Sequence, residues 1–121
     1  MDISRVIETM KKEPGFSKNV GMVLVHNGVV RGWSRQDHKT VTSIDVVVDA
    51  HRVETLRKEY SQKPGIYKIL IECRSGRLHP GDDLLFIVVA GDIRENVKSV
   101  LSELLDRIKA EAVTKTEITP T

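Results

Sequence analysis

Between Asp92 and Lys109 the chain commits itself to a helix. Val97, Val100, Leu101, Leu104, Leu105 and Ile108 recur at the 3.6-residue period. Asp92 followed by Glu95 three residues on is a capping-box pattern and predicts the helix start. A helix with one such apolar face has to lay that face on another element.

The covering surface has to come from the β-branched runs. Val20 to Val30 predicts one long strand, or two short ones broken near Asn27-Gly28, a dipeptide that favours a turn or bulge. Val41 to Val48 puts Ile44, Val46 and Val48 on one face, and Ile66 to Cys73 does the same with Ile69, Ile71 and Cys73. Leu84 to Ala90 is apolar throughout, and Val113 to Ile118 alternates as an edge strand would.

Two more helices are expected. Ile3, Val6, Ile7 and Met10 trace the first, which Pro14-Gly15 ends. Asp49 caps the second, with Val53, Leu56 and Tyr60 facing inward and Pro64-Gly65 closing it. The segment Ser75 to Asp82 is a turn-rich link, and Gly32 to Thr40 is a basic loop. The sum is an α+β fold in which helices pack on a mixed, mainly antiparallel sheet, with residues 1–121 forming one domain.

Composition removes several classes of function. Hydrophobic residues make up 40% and charged residues 30%, a globular balance. No apolar run nears the roughly 20 residues of a bilayer span, and the N-terminus lacks the pattern of a secretory signal, so a cytoplasmic protein without a membrane partner is expected. The net charge of +2 gives little support to a nucleic-acid partner, although Trp33, Arg35 and Lys39 give one loop a basic, aromatic look.

The usual chemical signatures are missing. His26, His38, His51 and His79 fall at none of the spacings that build a metal site from one element. Cys73, the sole cysteine, lies on a strand's apolar face and reads as an inert thiol. Neither a phosphate-binding glycine loop nor a nucleophile elbow occurs. Cations remain.

Arg94 falls in the first turn of the long helix and, at 100° per residue, about 20° from Leu101, so it is expected along the apolar face. A cation there suits an anion held at the helix N-terminus; pairing with Asp82, Asp83 or Glu95 is the plainer alternative. Lys109 at the helix end is either a solvated cap or a site residue, and Lys115 either protects a strand edge or faces a ligand. Arg31, at a strand end, carries the same two readings.

Three segments together resemble the large, catalytic subunit of molybdopterin synthase. Arg74-Ser75-Gly76-Arg77-Leu78-His79-Pro80-Gly81-Asp82-Asp83 is similar to that family's R-I-G-x-L-x-P-G-D turn. Arg94, the long helix, Lys109 and Lys115-Thr116-Glu117 resemble its arginine, helix, lysine and closing W-K-x-E. Gly28-Val29-Val30-Arg31 is similar to its G-x-V-R strand end, so the likeness runs from about residue 20 to 118.

The resemblance implies a sulfurtransferase of molybdenum cofactor biosynthesis. Sulfur would pass from the C-terminal thiocarboxylate of a small ubiquitin-like partner ending in Gly-Gly to cyclic pyranopterin monophosphate, forming the dithiolene of molybdopterin. It implies no metal and no cofactor. It also implies a homodimer of large subunits inside a heterotetramer, with Lys109 and Lys115 catalytic and Arg31 and Arg94 binding substrate.

Arg94 and Lys109 lie fifteen residues apart, roughly 22 Å along a helix. One small substrate cannot touch both within one chain, so a shared site requires two protomers. The chain departs from the family pattern at Ile93, where a histidine is usual, and at the shortened segment Ala110 to Thr114. An alternative reading follows from these departures: a non-catalytic dimeric α+β binding module that keeps the scaffold without sulfur transfer.

Overall fold

A computed structural model describes residues 1–120. The elements run α1 (Ile3–Lys11), α2 (Phe16–Asn19), β1 (Met22–Val29), β2 (Ser43–Val48), α3 (Ala50–Ser61), β3 (Ile66–Cys73), β4 (Gly76–Leu78), β5 (Asp83–Gly91), α4 (Arg94–Glu111) and β6 (Val113–Ile118). They build two three-stranded antiparallel sheets, ordered β1-β5-β3 and β4-β2-β6. The architecture is the α+β class expected, with two sheets where one was anticipated.

Strand β5 explains the layering. Its Leu85, Ile87 and Val89 point to one side, where Leu56 and Tyr60 of α3 and Val97, Val100, Leu101, Leu104 and Ile108 of α4 cover them. Val88 and Ala90 point to the other, beneath Met10 of α1, with Phe16 and the partly buried Val23, Val25 and Leu70 around them. A central strand covered on both faces must be apolar at every position, and Leu84 to Ala90 is. The second sheet has its own core, in which Ile44, Val46 and Leu78 meet Val30 and Val41.

Local chemistry sets the boundaries. Asp49 Oδ1 accepts the Arg52 amide at 3.0 Å and caps α3 as expected. The Asn27-Gly28 signal proves to be a bulge rather than a break: β1 is continuous, and its register against β5 slips between Gly28 and Val29.

Three local expectations are corrected. The cap of α4 is Ile93, not Asp92, and it makes no side-chain cap bond. Asp92 instead accepts from the Ile93 amide (2.6 Å) and Asn96 Nδ2 (2.9 Å), fastening the bend from β5, while Glu95 stands beside Arg94. Within the turn-rich link, Gly76–Leu78 forms β4. There the buried Leu78 and a two-bond Arg77–Asp45 ion pair (2.8 and 3.0 Å) hold the segment to β2, so cross-strand contacts override turn composition. Helix α2 was also unforeseen: α1 stops at Lys11, ahead of Pro14-Gly15, and the chain coils again for one turn from Phe16 to Asn19.

Candidate active site

The two sheets meet over a cavity of about 330 Å³. His26 and Gly28 come to it from β1, Cys73 from β3, Leu84 and Leu85 from β5, Lys109 from the last turn of α4, and Lys115 and Glu117 from β6. Arg31, Arg35 and Arg74 close the rim. Five cationic side chains thus face one hollow, and among the described residues Glu117 is the one carboxylate lining it.

Each cation is set in place by a traceable piece of sequence. Arg31 follows Val30, whose amide donates to the Asp82 carbonyl and whose carbonyl accepts the Gly81 amide, both at 2.9 Å. The Pro80-Gly81-Asp82 turn therefore anchors the strand end that carries Arg31. Gly81 takes φ +94°, a conformation that favours glycine. Asp82 tightens the turn by accepting the His79 amide at 2.8 Å.

Lys109 owes its position to an ionic clasp behind it. Arg107 of α4 reaches Glu59 of α3 (2.5 Å) and Glu111 (2.7 Å), and Arg52 of α3 bonds Glu111 as well. These contacts pin the end of α4 to α3. Lys115 lies opposite Val46 in the β2–β6 register. With Ile44 and Val48 also lining the cavity, the apolar face of β2 forms its floor.

Electrostatics follow from crowding. Burial first, and then the charges of Lys109 and Arg31, push the Lys115 ammonium below its ordinary proton affinity; Glu117 opposes them. Burial and Lys109 likewise lower the proton affinity of His26, which favours its neutral imidazole. The Cys73 thiol moves the other way, to about 11, because burial and neighbouring Glu72 disfavour a thiolate. The chemistry available here is anion binding and proton transfer by amines, with the thiol kept protonated.

Of the four residues expected in a site, the structure gathers Lys109, Lys115 and Arg31 around one cavity. It does not bring Arg94 there within the same chain. Arg94 opens α4 with its side chain about three-quarters exposed, its terminal nitrogen 3.8 Å from Glu95. The expected burial along the apolar face does not occur, because the buried stripe begins only at Val97 and the preceding Ile93 is itself exposed.

Sequence reasoning missed His26, Arg35 and Arg74 as cavity residues. Arg74 stands within the quoted Arg-Ser-Gly motif, and that placement was the available signal. His26 gave none: its alternation along β1 shows only that it shares a face with Leu24.

A family model described as MoaE protein matches residues 1–111. A "Probable molybdopterin synthase" of Haloferax volcanii is 23% identical over 113 residues, covering 90% of this chain and 43% of that protein. The chain thus spans less than half the length of that relative. The crystal structure of molybdopterin synthase from Staphylococcus aureus superposes with TM-score 0.78 at 21% identity, covering 99% of this chain and 86% of the other. The MoaE protein of Burkholderia ambifaria gives TM-score 0.76 at 21% identity, covering 99% and 78%. A complex of subunits 1 and 2 of molybdopterin-converting factor from Helicobacter pylori gives 0.72 at 16% identity, covering 98% and 80%. At these identities the structures establish a shared fold.

Proposed function

The chain belongs to the MoaE protein family, and we propose that it is the catalytic subunit of a molybdopterin synthase. In this reading it transfers sulfur from the thiocarboxylated C-terminus of a small ubiquitin-like subunit to cyclic pyranopterin monophosphate. The observation that carries the reading is the meeting of Lys109, Lys115 and Arg31 in one cavity with Arg35 and Arg74 beside them. Both reactants are anionic at their reacting or anchoring ends, one a thiocarboxylate and the other a phosphate. A hollow lined by five cations binds both and offsets the negative charge that develops as sulfur moves.

The roles divide by position. Lys109 lies at the reacting centre, between the helix end and the strands. Lys115, whose proton affinity burial and like charge have lowered, serves as acid or base or as electrostatic support. Arg31 holds substrate oxygens at the rim. Arg94, at the far end of α4, joins a site only if a second protomer presents it, so the working unit is a homodimer that carries two small subunits.

The test is reconstitution. The chain is mixed with a thiocarboxylated small partner ending in Gly-Gly and with cyclic pyranopterin monophosphate, and dithiolene is measured. Two sulfurs incorporated per pterin are expected. Failure of the unaltered chain to form dithiolene beside an active control enzyme overturns the assignment.

A further inference from the structure

Trp33 is oddly placed for a large apolar side chain. It is 44% exposed and belongs to none of the three cores, and it does not line the cavity itself. Yet its surroundings are closely built. The Arg31 guanidinium carbon sits 5.0 Å from its ring centroid, and the His38 imidazole stacks with the indole at 5.1 Å and 17° between planes.

The loop holding this stack is fastened on itself. Trp33 bridges Thr40, the Ser34 amide donates to Lys39 (2.9 Å), the His38 amide to Ser34 (2.9 Å), and the Val41 amide to Gly32 (3.0 Å). His38 takes φ 59°, the left-handed conformation that turns the chain back. The same loop places Ser34, Arg35 and Gln36 on the cavity wall. What the fold secures here is a tryptophan under an arginine.

We propose that Trp33 is a positioning residue: braced by His38, it holds the Arg31 guanidinium ready at the cavity rim for a phosphoryl oxyanion. A guanidinium held 5.0 Å from the ring centroid is attracted to the indole's π face without using up its five donors, and two of them bind an oxyanion side by side. A free arginine must surrender its rotamers on binding, whereas one held over an indole has surrendered part of them already. The indole therefore acts on binding and not on the chemical step. This inference rests on the reading of Arg31 as an oxyanion contact, so the test separates the two.

Trp33 is the chain's only tryptophan, so its emission reports on its own stack. Titrating the full chain with inorganic phosphate is expected to change that emission saturably, with no such change in Arg31→Ala. By calorimetry, Trp33→Ala weakens phosphate binding about two- to fivefold, the worth of an exposed cation–π contact, while Trp33→Phe keeps most of the affinity. In the reconstituted reaction Trp33→Ala raises KM for the pterin and leaves kcat unchanged.

Placed on top of Arg31→Ala, Trp33→Ala should cost nothing more. If it weakens binding equally with or without Arg31, or does not weaken it at all, the positioning role is overturned while the oxyanion contact stands. If Arg31→Ala itself leaves phosphate affinity intact, the reading of Arg31 falls and this inference falls with it.

Discussion

Lys109 at the end of α4 and Lys115 on β6 face the same cavity, and, after burial, the charge on the first depresses the proton affinity of the second. The pair is electrostatically coupled, so neither can be altered alone. In Lys109→Ala the proton affinities of both Lys115 and His26 are expected to rise, because one like charge has left their surroundings. NMR titration of the Lys115 and His26 side chains reads both shifts. The same variant should lose at least about a hundredfold in sulfur transfer, the usual worth of a charge-stabilising group at a reacting centre. Unchanged dithiolene formation removes Lys109 from the reacting centre.

Arg94 and Lys109 stand at opposite ends of an 18-residue helix. If one site draws Lys109 from one protomer and Arg94 from the other, two separately inactive variants should complement. Arg94→Ala and Lys109→Ala, co-expressed, form mixed dimers in which one of the two sites is intact, and random mixing restores about a quarter of the sites. No recovery in dimers shown to be mixed places Arg94 outside the site.

Glu111 joins Arg107 and Arg52 behind the C-terminal end of α4, and those two guanidinium groups hold its carboxyl at about 2 against an ordinary 4.5. A carboxyl lowered in the folded state stabilises above its unfolded value and loses that contribution as pH falls toward the folded one. Glu111→Gln should therefore be less stable than the unaltered chain at pH 7. The gap should close as pH drops from about 4.5 toward 2. Urea unfolding at a series of pH values measures it; a gap that stays constant across that range shows the clasp to be idle.

Gly65 adopts φ +80°, and a Cβ there would stand 2.3 Å from Asp92 Oδ1 and 2.5 Å from Asn96 Nδ2. Gly65→Ala is expected to destabilise by about 1 to 3 kcal/mol through backbone strain alone. Because the displaced groups fasten the start of α4, amide exchange should quicken first over the opening turn of that helix. Uniform exchange changes across the molecule point instead to general loosening.

The long helix, the β5 run and the cap at Asp49 were legible because each is a local pattern whose period or spacing names its structure. Lys109, Lys115 and Arg31 were nameable through family likeness, and their charges alone left the solvated readings open. Arg94 shows the limit of helical geometry: its angle matched Leu101, but an angle does not say how far along the helix its face is covered. β4 shows the limit of turn chemistry, because Gly76 and its neighbours pair only when β2 is there to receive them.

What the sequence determined by itself was therefore the longer elements and their apolar faces, since periodicity acts over neighbours a few residues apart. Only the tertiary structure decided that the strands divide into two sheets, and that the hollow between them collects cations from α4, β6 and two loops. Those side chains come from positions 31 to 115. Their meeting depends on strand register and helix placement, which long-range packing fixes and no stretch of local pattern records.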